Sequence, residues 1–189
     1  MNNERMEKLF STTLDLFQKQ GFYHTPMSQI AKISGISMGS IYNQFKNKET
    51  LLNELYKAIK FKFADAVNQS IDTAGSIEAQ IKRLLLTIYH YSLGHRREID
   101  FAAQYENSPL IRNETQADIR RAIGKVAELY EKGRRTAVLS DLPTRSLIVI
   151  SFGAVSALAK MAGTQEERMG EDELHRTIDA IFRAVAAGK

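Results

Sequence analysis

Ser37, Ser40, Tyr42, Asn43 and Lys48 place two hydroxyls, a phenol, an amide and an ammonium in one short stretch of chain. Together they form no nucleophile and no metal site. They are donors and acceptors of the kind that read base edges and hold phosphate oxygens. Between them lie Ile36, Ile41 and Phe45, and Ile41 and Phe45 are four apart, so they share one face of a helix. A segment that is apolar on one face and hydrogen-bonding on the others must pack on its own protein and present the remainder to something else.

Other chemistries have little support. The 189 residues include no Cys, which excludes disulfides, thiolate-bound zinc and a thiol nucleophile. His90 and His95 are five apart and fall on different sides of a helix, a poor arrangement for shared metal ligation. No glycine-rich phosphate loop follows a strand. His95-Arg96-Arg97 reads as a helix end whose charge complements the dipole. No metal, cofactor or catalytic group is therefore expected. The net charge is +4, and residues 1–60 hold eight Lys or Arg against five Asp or Glu. The excess in the first third points to an anionic partner there. The charged N-terminus has no apolar signal region and no eighteen apolar residues run together, so a cytoplasmic protein without a membrane span is expected.

The elements that position these groups read as all-α. Leu9, Phe10, Thr13, Leu14 and Phe17 form a helical stripe that Gly21 should end. Thr25-Pro26 predicts an N-cap and first position for a short helix through Ser34, with Ile30, Ala31 and Ile33 as its apolar surface. Gly35 suits a left-handed turn. Ser37 should cap a helix from Met38 to about Phe45, and Asn47 one starting at Lys48 and running to about 74. Further helices are expected over residues 77–93, 98–105, 113–138, 144–162 and 171–187, with Thr164–Gly170 as a loop. The count is about nine. Two short helices across a tight glycine turn are a helix-turn-helix candidate. Gly39 inside the second costs up to ~1 kcal/mol relative to Ala, a cost that close backbone approach to a partner would explain. Lys48 at a helix start opposes the macrodipole, which makes sense where an anion is bound.

These residues resemble a known family. Thr25–Leu52, "TPMSQIAKISGISMGSIYNQFKNKETLL", is similar to the DNA-binding domain of the tetracycline-repressor family in Ile30-Ala31, Gly35, Ser37, Gly39, Tyr42, Phe45, Lys48 and Leu51. The resemblance covers roughly the first 55 residues. It implies a helix-turn-helix DNA-binding domain over residues 1–47 and a ligand-sensing and dimerisation domain over 48–189, joined by the helix from Lys48. It further implies a homodimeric repressor on a palindromic operator in double-stranded DNA, contacted by Met27, Ser28, Ser37, Met38, Gly39, Ser40, Tyr42 and Asn43, with Lys48 on a phosphate. Met27 stands where Thr or Ser is common in the family, and Met38 could touch thymine methyls. Dimer pairing is expected through helices 144–162 and 171–187, whose many small residues let helices approach closely.

For a small, largely apolar effector, Tyr89, Phe101, Gln104, Tyr105, Tyr130 and Phe152 are the candidate lining, aromatic with a few polar handles. The rival reading is a helical dimeric protein-interaction module without ligand sensing.

Overall fold

The computed structural model describes residues 1–71, 74–163 and 169–188. Its helices are α1 (Asn3–Gln20), α2 (Met27–Ser34), α3 (Met38–Gln44), α4 (Lys48–Ser70), α5 (Ile77–Gly94), α6 (Arg96–Tyr105), α7 (Asn113–Ala122), α8 (Gly124–Arg135), α9 (Thr144–Ala162) and α10 (Glu171–Val185). Among the described residues there are ten helices and one isolated antiparallel bridge, Leu139 to Ala186. The all-α expectation holds.

The extra helix arises where one was expected over 113–138. Ile123, at φ −97° and ψ 17°, leaves helical geometry, and Gly124, a poor helix former, starts α8. That helix then stops at Arg135 because the chain folds back. Val138 N and Leu139 N both donate to the Gly133 carbonyl at 3.0 Å, and a Cβ on Gly133 would stand 2.9 Å from the Leu139 side chain. A larger residue there would force the Leu139 side chain to shift.

Three other boundaries differ from expectation: α6 begins at Arg96, two residues before 98, and two helices end early. α4 stops at Ser70, short of 74, and Asp72 and Thr73 lie outside the described residues. α10 stops at Val185, where Ser140 N donates to the Val185 carbonyl and Ala187 N donates to Val138 O. Of the expected loop, Thr164–Arg168 lie outside the described residues.

Two compact units emerge. The first comprises Met1–Lys60 and Arg97–Ala117, the second Phe61–Arg96 and Asp118–Lys189. The first thus takes in the first half of α4 and most of α6, beyond the 1–47 segment read from sequence. Leu9, Phe17, Ile30, Ile41, Leu51, Leu52 and Phe101 are its most buried apolar side chains.

Polar fastening is concentrated at Asn53, which is 2% exposed. Its amide donates to Glu49 O (2.9 Å) and Leu110 O (2.8 Å), and its oxygen accepts from Arg112 N (2.9 Å) and Thr115 Oγ1 (3.0 Å). All its donors and acceptors are used, and α4 is tied to the segment that leads into α7.

In the second unit, α9 packs against α5, α8 and α10 through Leu147, Ser151, Val155 and Ala159. Ser151 is buried and shares a 2.7 Å hydrogen bond with the Tyr130 hydroxyl. Burial pushes that phenol up to about 12. By length and composition α9 could cross a membrane, but one row of it packs into the core of its own unit.

Glu131 accepts from Arg134, Arg135 and Thr144, which holds its carboxyl down to about 2. A depressed carboxylate of this kind stabilises the fold above its unfolded value and loses that contribution as pH falls through its folded one. An NMR titration should accordingly find Glu131 ionised down to about pH 2.

Asn53→Leu should cost about 2–3 kcal/mol, because Leu110 O, Arg112 N and the buried Thr115 hydroxyl lose their partner. Urea unfolding of the variant beside the parent measures it.

Candidate nucleic-acid interface

α3 has only seven residues, too few to persist alone in water. It is held from both ends and from beneath. Ser37 Oγ accepts from Ser40 N at 3.2 Å, the expected N-cap. Gly35 takes φ 68°, the left-handed turn expected of it, and closes α2 with a hydrogen bond from its N–H to the Ala31 carbonyl. Ile36, Ile41 and Phe45 are buried, and the Phe45 ring lies 6.1 Å from that of Phe10 on α1.

With that face buried, the others are turned out. Tyr42 is 48% exposed, and Gly39, Asn43 and Gln44 are exposed beside it. Met38 and Ser40 are half-buried. The Ser37 and Ser40 hydroxyls lie 2.9 Å apart and bond each other. A Cβ on Gly39 would meet nothing within 4 Å. Nothing in the chain itself therefore calls for glycine there.

α2 departs from expectation at its start. Thr25 does not cap it; its hydroxyl donates back to Gly21 O at 2.7 Å, and the helix begins at Met27 after Pro26. Pro26 offers no side-chain cap, and within the first turn Gln29 N donates to the Pro26 carbonyl at 3.0 Å. Met27, expected among the contacts, is only 8% exposed and turns into the core, whereas Ser28 is exposed. Ile33, read as apolar surface for packing, is 54% exposed.

Lys48 occupies an unexpected environment. Its ammonium donates to Phe22 O (2.7 Å) and Thr25 O (2.9 Å), approaches Tyr23 O (3.5 Å), and lies 4.5 Å from the centre of the Phe22 ring. Burial pulls its pKa down. Asn47 caps α4 as expected, accepting from Thr50 N at 2.8 Å. Lys46, which the sequence reading passed over, is exposed between α3 and α4; its place beside the Tyr42–Phe45 pair was the available signal.

The candidate effector lining divides between the units. Phe101 and Tyr105 belong to the first, where Phe101 stacks 6.5 Å from Phe17 and lies 4.8 Å from Tyr105. Gln104 is exposed in the same unit. Tyr89, Tyr130 and Phe152 belong to the second, where the last two rings are 6.3 Å apart and Tyr89 is buried. A recess of about 400 Å³ in the second unit is lined instead by Glu128, Glu131, Lys132, Arg135 and Thr136.

A short helix anchored by one buried face, set across a left-handed glycine turn from its predecessor and exposing hydrogen-bonding groups, defines a helix-turn-helix DNA-binding protein. Residues 9–55 match the model of bacterial regulatory proteins of the tetR family. Residues 76–186 match the model of a tetracyclin repressor-like C-terminal domain.

Among relatives, the HTH-type transcriptional regulator LmrA of Bacillus subtilis is 41% identical over 83 residues, 41% of this chain and 44% of that one. An uncharacterized HTH-type transcriptional regulator of Haemophilus influenzae is 23% identical over 181 residues, 95% of this chain and 94% of its own length. The crystal structure of a putative tetR family transcription regulator from Shewanella sp. PV-4 superposes with a TM-score of 0.86 at 24% identity, covering 97% of this chain and 99% of that one. The chain belongs to the tetracycline-repressor family of helix-turn-helix transcriptional regulators.

Gly39→Ala tests the exposed face. With no internal clash, it should stabilise the fold by about 0.4–1 kcal/mol in thermal or urea unfolding, while a duplex that the parent binds is held more weakly.

Proposed function

We propose that this regulator is a homodimeric repressor, without catalytic activity, that holds a palindromic operator in the cytoplasm and releases it when a small, largely apolar molecule binds. The observation that carries the DNA-binding half is the exposed surface of α3, where Tyr42, Asn43, Gln44 and the bare backbone at Gly39 stand over a buried Ile41–Phe45 anchor. A helix of this size enters the major groove, where Asn and Gln read adenine edges and Met38 suits a thymine methyl. Ser28 and the uncapped first turn of α2 would take a phosphate, as helix N-termini do. Tyr42 would give its hydroxyl to another.

The second copy would pair through α9 and α10. On α9, Val149, Ile150 and Met161 are 62%, 41% and 54% exposed, an apolar surface that this subunit leaves uncovered. Gly153 and Ala157 lie with them, and Ala180 and Ala184 are exposed on α10. Small residues at these positions allow close helix approach across a twofold axis. For the effector, Tyr130, Phe152 and the buried Tyr89 are the aromatic groups of the second unit that a ligand would meet.

Fluorescence anisotropy on duplexes enriched from a randomised pool tests the DNA reading. Tyr42→Ala should weaken binding about tenfold or more with an unchanged melting temperature, the loss of a phosphate hydrogen bond and its packing. A parent protein that enriches no sequence over random DNA would overturn it in favour of a protein-interaction module. By linkage, any effector must lose affinity by the same factor when operator is bound, and an effector indifferent to operator would refute the release mechanism.

A further inference from the structure

An ammonium has three N–H donors, and those of Lys48 are directed to backbone carbonyls of its own subunit. Phe22 O at 2.7 Å and Thr25 O at 2.9 Å take two, and Tyr23 O at 3.5 Å stands nearest the third. The Phe22 ring covers the charge at 4.5 Å. These carbonyls belong to the turn that leaves α1 at Gly21, which has φ 79°, and delivers Pro26 to the start of α2.

The other fastenings of that turn approach through different atoms. Gln20 Nε2 donates to His24 O (2.8 Å), Gln29 Oε1 (2.8 Å) and Thr25 Oγ1 (3.2 Å), and Thr25 Oγ1 donates to Gly21 O. None of these side chains reaches the Phe22 or Thr25 carbonyl that Lys48 holds, although Thr25 N also donates to Phe22 O at 3.3 Å. A cation at the start of α4 is disfavoured by that helix's own dipole, and the converging carbonyls of the turn answer the charge within the subunit.

We infer that Lys48 is a positioning residue for DNA binding: it locks the α1–α2 turn, and with it the first turn of α2, and does not itself neutralise a phosphate. Two residues earlier, Lys46 is exposed between α3 and α4 and is the ammonium at this end of the motif that faces solvent. The inference rests on the DNA-binding function proposed above.

The two roles differ in salt dependence. Losing a phosphate contact lowers the slope of log K against log salt by about 0.9 per contact, whereas misplacing other contacts weakens binding without removing a counterion from the count. Binding of a random-sequence duplex and of the enriched duplex would be measured by anisotropy over a salt series, below the melting temperature of every variant, for the parent, Lys48→Met, Lys48→Arg and Lys46→Gln.

The expected result for Lys48→Met is an affinity for the enriched duplex about tenfold lower, an unchanged slope and a lower melting temperature. Lys46→Gln should lower the slope on both duplexes and leave the melting temperature alone. Lys48→Arg keeps the charge, but its planar fork cannot meet three converging carbonyls, so it should not restore affinity.

A Lys48→Met slope lowered by about 0.9 per contact, or full rescue by Lys48→Arg, would overturn the inference and make Lys48 a phosphate ligand. A lower melting temperature with unaltered affinity would also overturn it, leaving a purely structural lysine. A parent protein that binds neither duplex would refute the DNA-binding function itself, and so is distinguishable from both.

Discussion

Seven residues of helix cannot hold their own shape in water, and the DNA-facing part of this protein depends on overcoming that constraint. The helix α3 persists because one face is surrendered to the core. Ile41 is fully buried, Phe45 nearly so, and Ile36 closes the turn beneath them. What remains for solvent is then determined: a helix with one apolar row inward must turn Gly39, Tyr42, Asn43 and Gln44 outward.

The start of α4 is where polar chemistry supports that packing. Lys48 reaches back to the turn after α1, Asn47 caps its own helix, and Asn53 reaches forward to the segment before α7. These contacts all fall in the first unit, which also holds Phe101 and Tyr105 against the aromatic side chains at the end of α1. Phe22 is the common member: its ring meets Phe17 and the Lys48 charge, and its carbonyl accepts a hydrogen bond from Lys48. α6 is thereby joined, through Phe101, Phe17 and Phe22, to the lysine that holds the entry to α2.

In the second unit, α9 is the helix with two obligations. One row of it closes the core with α5, α8 and α10, while Val149, Ile150 and Met161 stand in solvent. In the proposed dimer, this exposed apolar surface is the one a second copy would cover. The buried Tyr130–Ser151 hydrogen bond gives this otherwise apolar interior a fixed polar pair, so the side of α9 that faces inward is specified as well as hydrophobic.

Much of this was legible in the chain itself. Apolar spacing set the helix class, Gly21 and Gly35 marked ends that only a residue without Cβ adopts readily, and Ser37 and Asn47 announced caps whose partners lie three residues away. Such features are local, with cause and consequence inside one turn of helix. The helix-turn-helix, its exposed residues and the family they belong to were readable for that reason.

Contacts between distant segments were not. The reach of Lys48 across 23 residues to Thr25, the burial of Met27, the outward turn of Ile33 and the early end of α8, where Leu139 folds back on Gly133, all depend on which surfaces meet after folding. Phe101 and Tyr105 fall in one compact unit and Tyr130 and Phe152 in the other, although all four are aromatic residues of the kind that line pockets. A side chain's chemistry belongs to its sequence, but the neighbour it spends that chemistry on is chosen by the packing of the whole unit.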